Sequence, residues 1–277
     1  MSSYTSISVE KLARLVGTAN APGLIDVRTA EEFAADPYLI PGALRGTHAT
    51  AADWAASLEG RGAVVICQKG GRASEGVAAS LRFCGFDAEI LEGGFEEWRR
   101  SALPTVTASR IPPYDEKGRT HWVTRSRPKI DRIACPWLIR RFIDPKAVFL
   151  FVTPSRVQGV AEEFAATPFD IDNVFWSHRG ELCTFDVLID EFGIATPPLL
   201  HLAQMVRGAD TARLDISKEA PGLLAISLGL SRMFDDDLKQ LEAGLTIYDA
   251  LYRWCRDATG ETHNWPERKP THQQAAE

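Results

Sequence analysis

Three short apolar runs limit what the first hundred residues can become: GLIDVR (23–28), AVVIC (63–67) and AEILEGG (88–94). Each is too short for a helix. Each stops abruptly at a charge, a thiol or a pair of glycines, as strands buried on both faces do. Between them lie SVEKLARLV (8–16), AEEFAA (30–35) and SEGVAASLRFCGF (74–86), and FEEWRRS (95–101) follows the last. Their apolar residues recur at helical spacing, with Ser8 placed to cap the first and Gly85 to stop the third. Strands alternating with helices predict an α/β unit built on a parallel sheet. In such a unit, ligand chemistry gathers at the carboxyl ends of the strands.

The composition then changes. LPTVTASRIPPYDEKGRT (103–120) is rich in Pro, Ser, Thr and charge, and reads as a partly stiff spacer. Ordered patterns resume with HWVTRSRPKIDRIACPWLIRRFID (121–144), a strand followed by a helix. AVFLFV then reads as a strand, and four mostly helical segments follow, the last with Asp235 to Asp237 at its start. The expected organisation is an α/β domain over 5–104, a linker over 105–119, a mainly α-helical α+β domain over 120–257 and a polar tail over 258–277. A chain of 277 residues accommodates two such units. The net charge of −6 argues against a nucleic-acid or membrane binder, and no apolar run reaches the ~20 residues of a membrane span. The start of the chain lacks the pattern of a secretory signal. Five cysteines without CxxC spacing suit free thiols in a reducing compartment, so a cytoplasmic location is expected.

VVICQKGGRAS (64–74) carries the sharpest chemical signal. Cys67 stands where a buried strand meets a loop. Gly70 and Gly71 free the backbone to turn its N–H groups inward, and the helix after Arg72 adds the positive end of its dipole. Lys69 and Arg72 bring full charges. Such a setting favours a thiolate and a bound anion; the competing reading is a small buried cysteine at a strand end.

In the second half, Arg119, Arg125, Arg127, Lys129, Arg132, Arg140 and Arg141 fall close together. They read either as a site for chromate or another oxyanion, or as a solvated basic face. Asp131 and Cys135 are spaced for one side of a helix, and His178, Cys183 and Asp186 follow in SHRGELCTFD. Asp131, Cys135, His178 and Cys183 are therefore candidates to hold a transition metal, although they match no standard zinc spacing. A buried cysteine and a capping histidine are the alternative. VRGAD (206–210) and YDALY (248–252) offer further carboxylates, with nothing in the sequence to bring them together.

LIDVRTAEEF (24–33), LIPGAL (39–44), VVICQKGGRAS and LEGGFEEW (91–98), in that order, resemble a rhodanese domain. The resemblance implies a sulfurtransferase that carries sulfane sulfur as a Cys67 persulfide. The amides of Gln68, Lys69, Gly70, Gly71, Arg72 and Ala73 would cradle the outer sulfur, and Arg72 would steady the anionic donor. It implies a small sulfur donor such as thiosulfate, a thiol or cyanide acceptor, and no cofactor. Cys67 through Arg72 is the six-residue loop of sulfurtransferases rather than the longer loop of the related phosphatases. Asp26 and Arg28 match the family's DVR motif, and two roles stay open for them: an ion pair framing the loop, or a direct part in catalysis. The chain departs from the pattern at YLIPGA, where Tyr38 and Leu39 replace Gly-His.

WVTRSRPKIDRIACPWLIRRFID, PFDI, SHRGELCTFD, RGADT, GLLAISLGLS and YDALYRW similarly resemble the C-terminal domain of the chromate-resistance protein family. This implies a setting of chromate or oxyanion stress and assigns no catalytic residue. Two other functions remain open: a redox or chromate sensor, and metal-dependent detoxification by the second domain.

Overall fold

The computed structural model describes residues 5–46 and 62–262; most of the expected polar tail lies outside them. Strands β1 (Ser6–Ile7), β2 (Gly23–Asp26), β4 (Ala43–Arg45), β5 (Ala63–Ile66) and β6 (Ala88–Leu91) form one sheet in the order β1-β6-β5-β2-β4. Every pairing in it is parallel. Val64 and Ile66 pack on one face with Leu12, Phe95 and Trp98. Val65 packs on the other with Val77 and Leu81. A sheet covered on both sides leaves no polar positions along its central strand, which explains the unbroken apolar run of β5.

The helices follow their local signals. The hydroxyl of Ser8 accepts the Lys11 N–H at the start of α1 (Val9–Leu15). Thr29 and Glu32 form a reciprocal capping box at α2 (Ala30–Ala35). Helix α3 (Arg72–Phe83) ends before Gly85, whose φ is +87°. Helix α4 (Gly94–Arg100) follows the glycine pair.

The second half is mainly helical around a small parallel sheet. β8 (His121–Arg125) lies between β9 (Val148–Val152) and β10 (Thr167–Pro168). Helix α5 (Asp131–Leu138) runs on through a π-helical turn, Ile139–Ile143. Helices α6 (Val157–Glu163), α7 (Thr184–Phe192), α8 (Pro197–Asp210), α9 (Ala220–Met233) and α10 (Asp237–Asp257) complete it. The acidic start of α10 works as the charge pattern predicts: Asp236 accepts the N–H groups of Leu238 and Lys239.

The segment expected to be a spacer is instead packed. Val106 and Thr107 form β7, which pairs antiparallel with β3 (Tyr38–Leu39) of the first half. Trp98 Nε1 donates to Pro104 O at 2.9 Å, and Asp115 accepts the N–H groups of Lys117 and Arg119. Proline and charge in this stretch report an irregular path across a surface, not freedom of movement.

The departure at Leu39 gains its reason here. Leu39 is 3% exposed and belongs to the core of the second half, together with Val106, Trp122, Phe142 and Phe149. A histidine in its place would carry ring nitrogens into apolar surroundings without partners. Phe142 locks the same seam. Its carbonyl accepts the N–H of Gly42 at 2.6 Å, and its ring lies against Gly17, where an added Cβ would come within 2.3 Å of Cζ. Gly17 also has φ +75°, so the position needs glycine on two counts.

Replacing Phe142 with Ala removes a buried ring shared by both halves. We expect a loss of about 3–5 kcal/mol, measured by denaturant unfolding, with the two halves losing structure together in the wild type.

Candidate functional site

The β2–β5 register sets Asp26 opposite Ile66, so the strand ends of Asp26 and Cys67 are neighbours. After Ile66 the chain turns through Gln68 to Gly71 and enters α3. Gly70 has φ +69°, and a Cβ there would meet Leu91 O at 2.8 Å and Gly93 N at 2.9 Å. Gly94 is tighter: its Cβ would stand 2.3 Å from Cys67 O. These contacts exist because the second glycine turn carries the cysteine loop on its back. Phe95 N–H donates to Cys67 O at 2.9 Å, and Glu96 N–H to Gln68 O at 3.0 Å.

Cys67 is 6% exposed. Its Sγ receives the Gly71 N–H at 3.2 Å and lies 3.1 Å from Ser74 Oγ. Burial pushes the thiol up, but the Ser74 hydroxyl and the amides of Gly71, Ser74 and Lys69 together pull it below its ordinary value. Main-chain dipoles and one hydroxyl therefore favour the charged form of this thiol. Ser74 stands inside the quoted motif, yet the sequence reading left it without a role. One residue beyond the expected cradle, it sits on the first turn of α3, where helical geometry returns its side chain to the loop. Arg72 is exposed at the start of α3 and makes no ion pair among the described residues. Lys69 is exposed and reaches Glu96 at 3.9 Å. Ala73 is exposed, whereas the Gln68 Oε1 is buried without a hydrogen-bond partner.

Asp26 and Arg28 take the framing position. Arg28 is 2% exposed and meets both Asp26 oxygens, with its Nη2 at 2.6 Å from Oδ2. It also donates to Asp36 O and Tyr38 O, and its guanidinium lies 3.6 Å above the Phe95 ring. These contacts tie the end of β2 to the path out of α2 and to the Phe95 ring.

The second half holds a different cluster. His178 Nε2 lies 3.5 Å from Asp131, 3.4 Å from Asp170 and 3.2 Å from Asp210. Asp131 begins α5, Asp170 follows β10 and Asp210 ends α8, so folding alone brings them together. Hydrogen bonding to Asp170 and Asp210, reinforced by the charge of Asp131, pushes His178 up to about 10. Burial, with the charges of Asp210 and Asp170, pushes the Asp131 carboxyl well up. Of the four expected metal candidates, Asp131 and His178 converge. Among the described residues Cys135 and Cys183 do not join the group of close donor atoms; Asp170 does. Both thiols are buried, and burial with the nearby Asp131 charge raises them. Asp170 was quoted only within PFDI, and its meeting with His178 has no signal in sequence spacing.

The arginine run is dispersed. Arg119 faces Asp115, Arg125 and Arg132 face Asp170, Arg127 faces Asp235, Arg140 faces Glu242 and Arg141 faces Asp249. Five of these arginines, Arg119, Arg125, Arg132, Arg140 and Arg141, each already meet a carboxylate within 3.5 Å.

Two outcomes follow from this geometry. Ser74→Ala removes the hydroxyl 3.1 Å from Sγ, one of the groups that lower the thiol, so the midpoint of Cys67 alkylation by iodoacetamide moves to higher pH and the rate at neutral pH falls. Asp26→Asn leaves the Arg28 charge buried without its counter-charge and costs about 3–5 kcal/mol, read from denaturant unfolding.

Comparison with known proteins places these two halves. Residues 8–101 match the rhodanese-like domain, and residues 122–255 match the C-terminal domain of ChrB. Protein ChrB of Cupriavidus metallidurans is 36% identical over 154 residues, which are 54% of this chain and 45% of that protein. The chain thus spans less than half the length of that relative. The thiosulfate sulfurtransferase GlpE of Actinobacillus succinogenes is 32% identical over 111 residues, 40% of this chain and 97% of that protein. The crystal structure of a rhodanese-related protein from Thermoplasma volcanium covers 38% of this chain and 99% of its own, at 24% identity and a TM-score of 0.32. No helix among the described residues is long and apolar enough to cross a membrane. The chain belongs to the rhodanese-like family through its first hundred residues, and its residues 122–255 are similar to the C-terminal domain of ChrB.

Proposed function

We propose that the protein is a sulfurtransferase that moves sulfane sulfur from thiosulfate, or a donor like it, through a persulfide on Cys67. One observation carries the reading: the Cys67 Sγ sits beneath the Gly71 amide and beside Ser74 Oγ, with its thiol lowered despite burial. The thiolate attacks the outer sulfur of thiosulfate. The new Cys67 S–S bond forms as the donor's S–S bond breaks, and sulfite leaves with the electron pair. Cyanide or a thiolate then takes the outer sulfur and returns Cys67 as thiolate. No cofactor enters either step. The amides that face Sγ stay in place for the persulfide anion, and Arg72, exposed beside the loop, offers its charge to the incoming dianion. Asp26 and Arg28 act as positioning residues through Phe95. The likeness of the second half to the ChrB C-terminal domain supports a setting in chromate or other oxyanion resistance. The five free cysteines fit a reducing cytoplasm.

Intact-protein mass spectrometry after thiosulfate treatment tests this. The wild type is expected to gain about 32 Da, one sulfur, and Cys67→Ser to gain nothing. No gain in the wild type, or an equal gain in the variant, overturns the reading.

A further inference from the structure

We infer that Asp131, Asp170 and His178, with Asp210 beside them, form a binding site for one divalent first-row cation of the Mn2+ type. The donor atoms of the first three lie within 4.8 Å of one another. The separations from His178 Nε2 to the carboxylates are 3.2–3.5 Å. Metal–ligand bonds of about 2.1 Å put neighbouring ligands roughly 3.0–3.4 Å apart, close to the separations of His178 Nε2 from the carboxylates. A single ring N–H can donate to one acceptor only, yet three carboxylates converge on it.

A second observation points the same way. Asp131 is fully buried, its Oδ2 faces His178, and its Oδ1 has no hydrogen-bond partner. The Cys183 thiol, a weak donor, lies near this carboxyl. A carboxylate left so in the interior is costly, and a cation would satisfy it.

The carboxylates are also held from behind, as ligands are. Thr184 N–H donates to Asp131 Oδ2 at 2.6 Å, and Thr184 Oγ1 donates to Asp170 Oδ1 at 3.0 Å. Arg132 Nε lies 3.2 Å from Asp170 Oδ2. Such outer contacts aim carboxylates and are typical of metal centres. His178 is 40% exposed on its side chain, which leaves an open edge for entry and for water or a small anion as a further ligand. An oxygen-rich set with one imidazole favours Mn2+ or Fe2+ over a thiolate-selected metal.

The test uses the full chain, purified without a histidine tag and stripped with chelator. Titration with MnCl2, followed by the free-Mn2+ electron paramagnetic resonance signal, is expected to saturate at one Mn2+ per chain. His178→Gln and Asp170→Asn are each expected to weaken binding at least tenfold, with circular dichroism confirming the fold, while Cys135→Ser binds as wild type. Independently of any variant, 15N-histidine labelling of the wild type should change the nitrogen modulation of bound Mn2+ in an electron spin echo experiment. Failure of the wild type to bind either Mn2+ or Zn2+ stoichiometrically overturns the site and leaves His178 as an imidazolium held by carboxylates. Unchanged binding in both folded variants, or bound Mn2+ without a histidine nitrogen signal, overturns it as well.

Discussion

The buried guanidinium of Arg28 is the constraint on which the first half depends. A charge this deep is tolerated only if every N–H has a partner, and its partners come from three places in the chain. Asp26 ends the strand beside Cys67. The carbonyls of Asp36 and Tyr38 fix the path out of α2 and into β3. The Phe95 ring, 3.6 Å away, sits on the helix whose first amides hold the carbonyls of Cys67 and Gln68. One side chain thus sets the carboxyl edge of the sheet, the back of the cysteine loop and the position of the strand that pairs with the second half.

That pairing turns two family segments into one body. Leu39 and Val106 cross from the first half into the core of the second, and Phe142 returns the contact at Gly17 and Gly42. Gly17 and Gly42 precede β2 and β4, so this seam lies at the amino edge of the sheet. The cysteine loop lies at the carboxyl edge. Through Phe142 the second half thus grips the rhodanese-like sheet at the edge opposite the cysteine loop.

The two clusters differ in how their electrostatics arise. Around Cys67 the stabilising groups are amides and a hydroxyl within seven residues, oriented by the turn and by the helix that follows. Around His178 they are full charges from separate helices and a strand end. Backbone strain gathers near them: Ile130 has φ +38° and Asp170 φ +51°, values that non-glycine residues adopt only where surroundings compel it. The first cluster is local and cheap to specify. The second exists only in the folded molecule.

The sequence by itself determined what short-range physics decides. Apolar runs closed by a thiol and by a glycine pair became β5 and β6, side-chain caps began α1, α2 and α10, and the Cys67 loop was legible because its thiol, glycines, arginine and helix start are contiguous. The Asp26–Arg28 pair was legible as a pair, because its two residues are two apart at one strand end. Tertiary structure decided the rest. The proline-rich stretch after Leu103 looked like a spacer because composition records the lack of a regular element, not the burial of Val106. Ser74 escaped notice because its contact depends on how the helix turns back. The arginine run fitted an oxyanion site or an ion-paired basic face equally well, because the carboxylates that face Arg140 and Arg141, Glu242 and Asp249, lie more than a hundred residues away and are invisible to local reading. Asp131 and His178 were visible as candidates, and the packing of α5, α8 and the turn after β10 sets Asp210 and Asp170 beside them, since convergence of charges from distant elements is set by the fold and by nothing nearer.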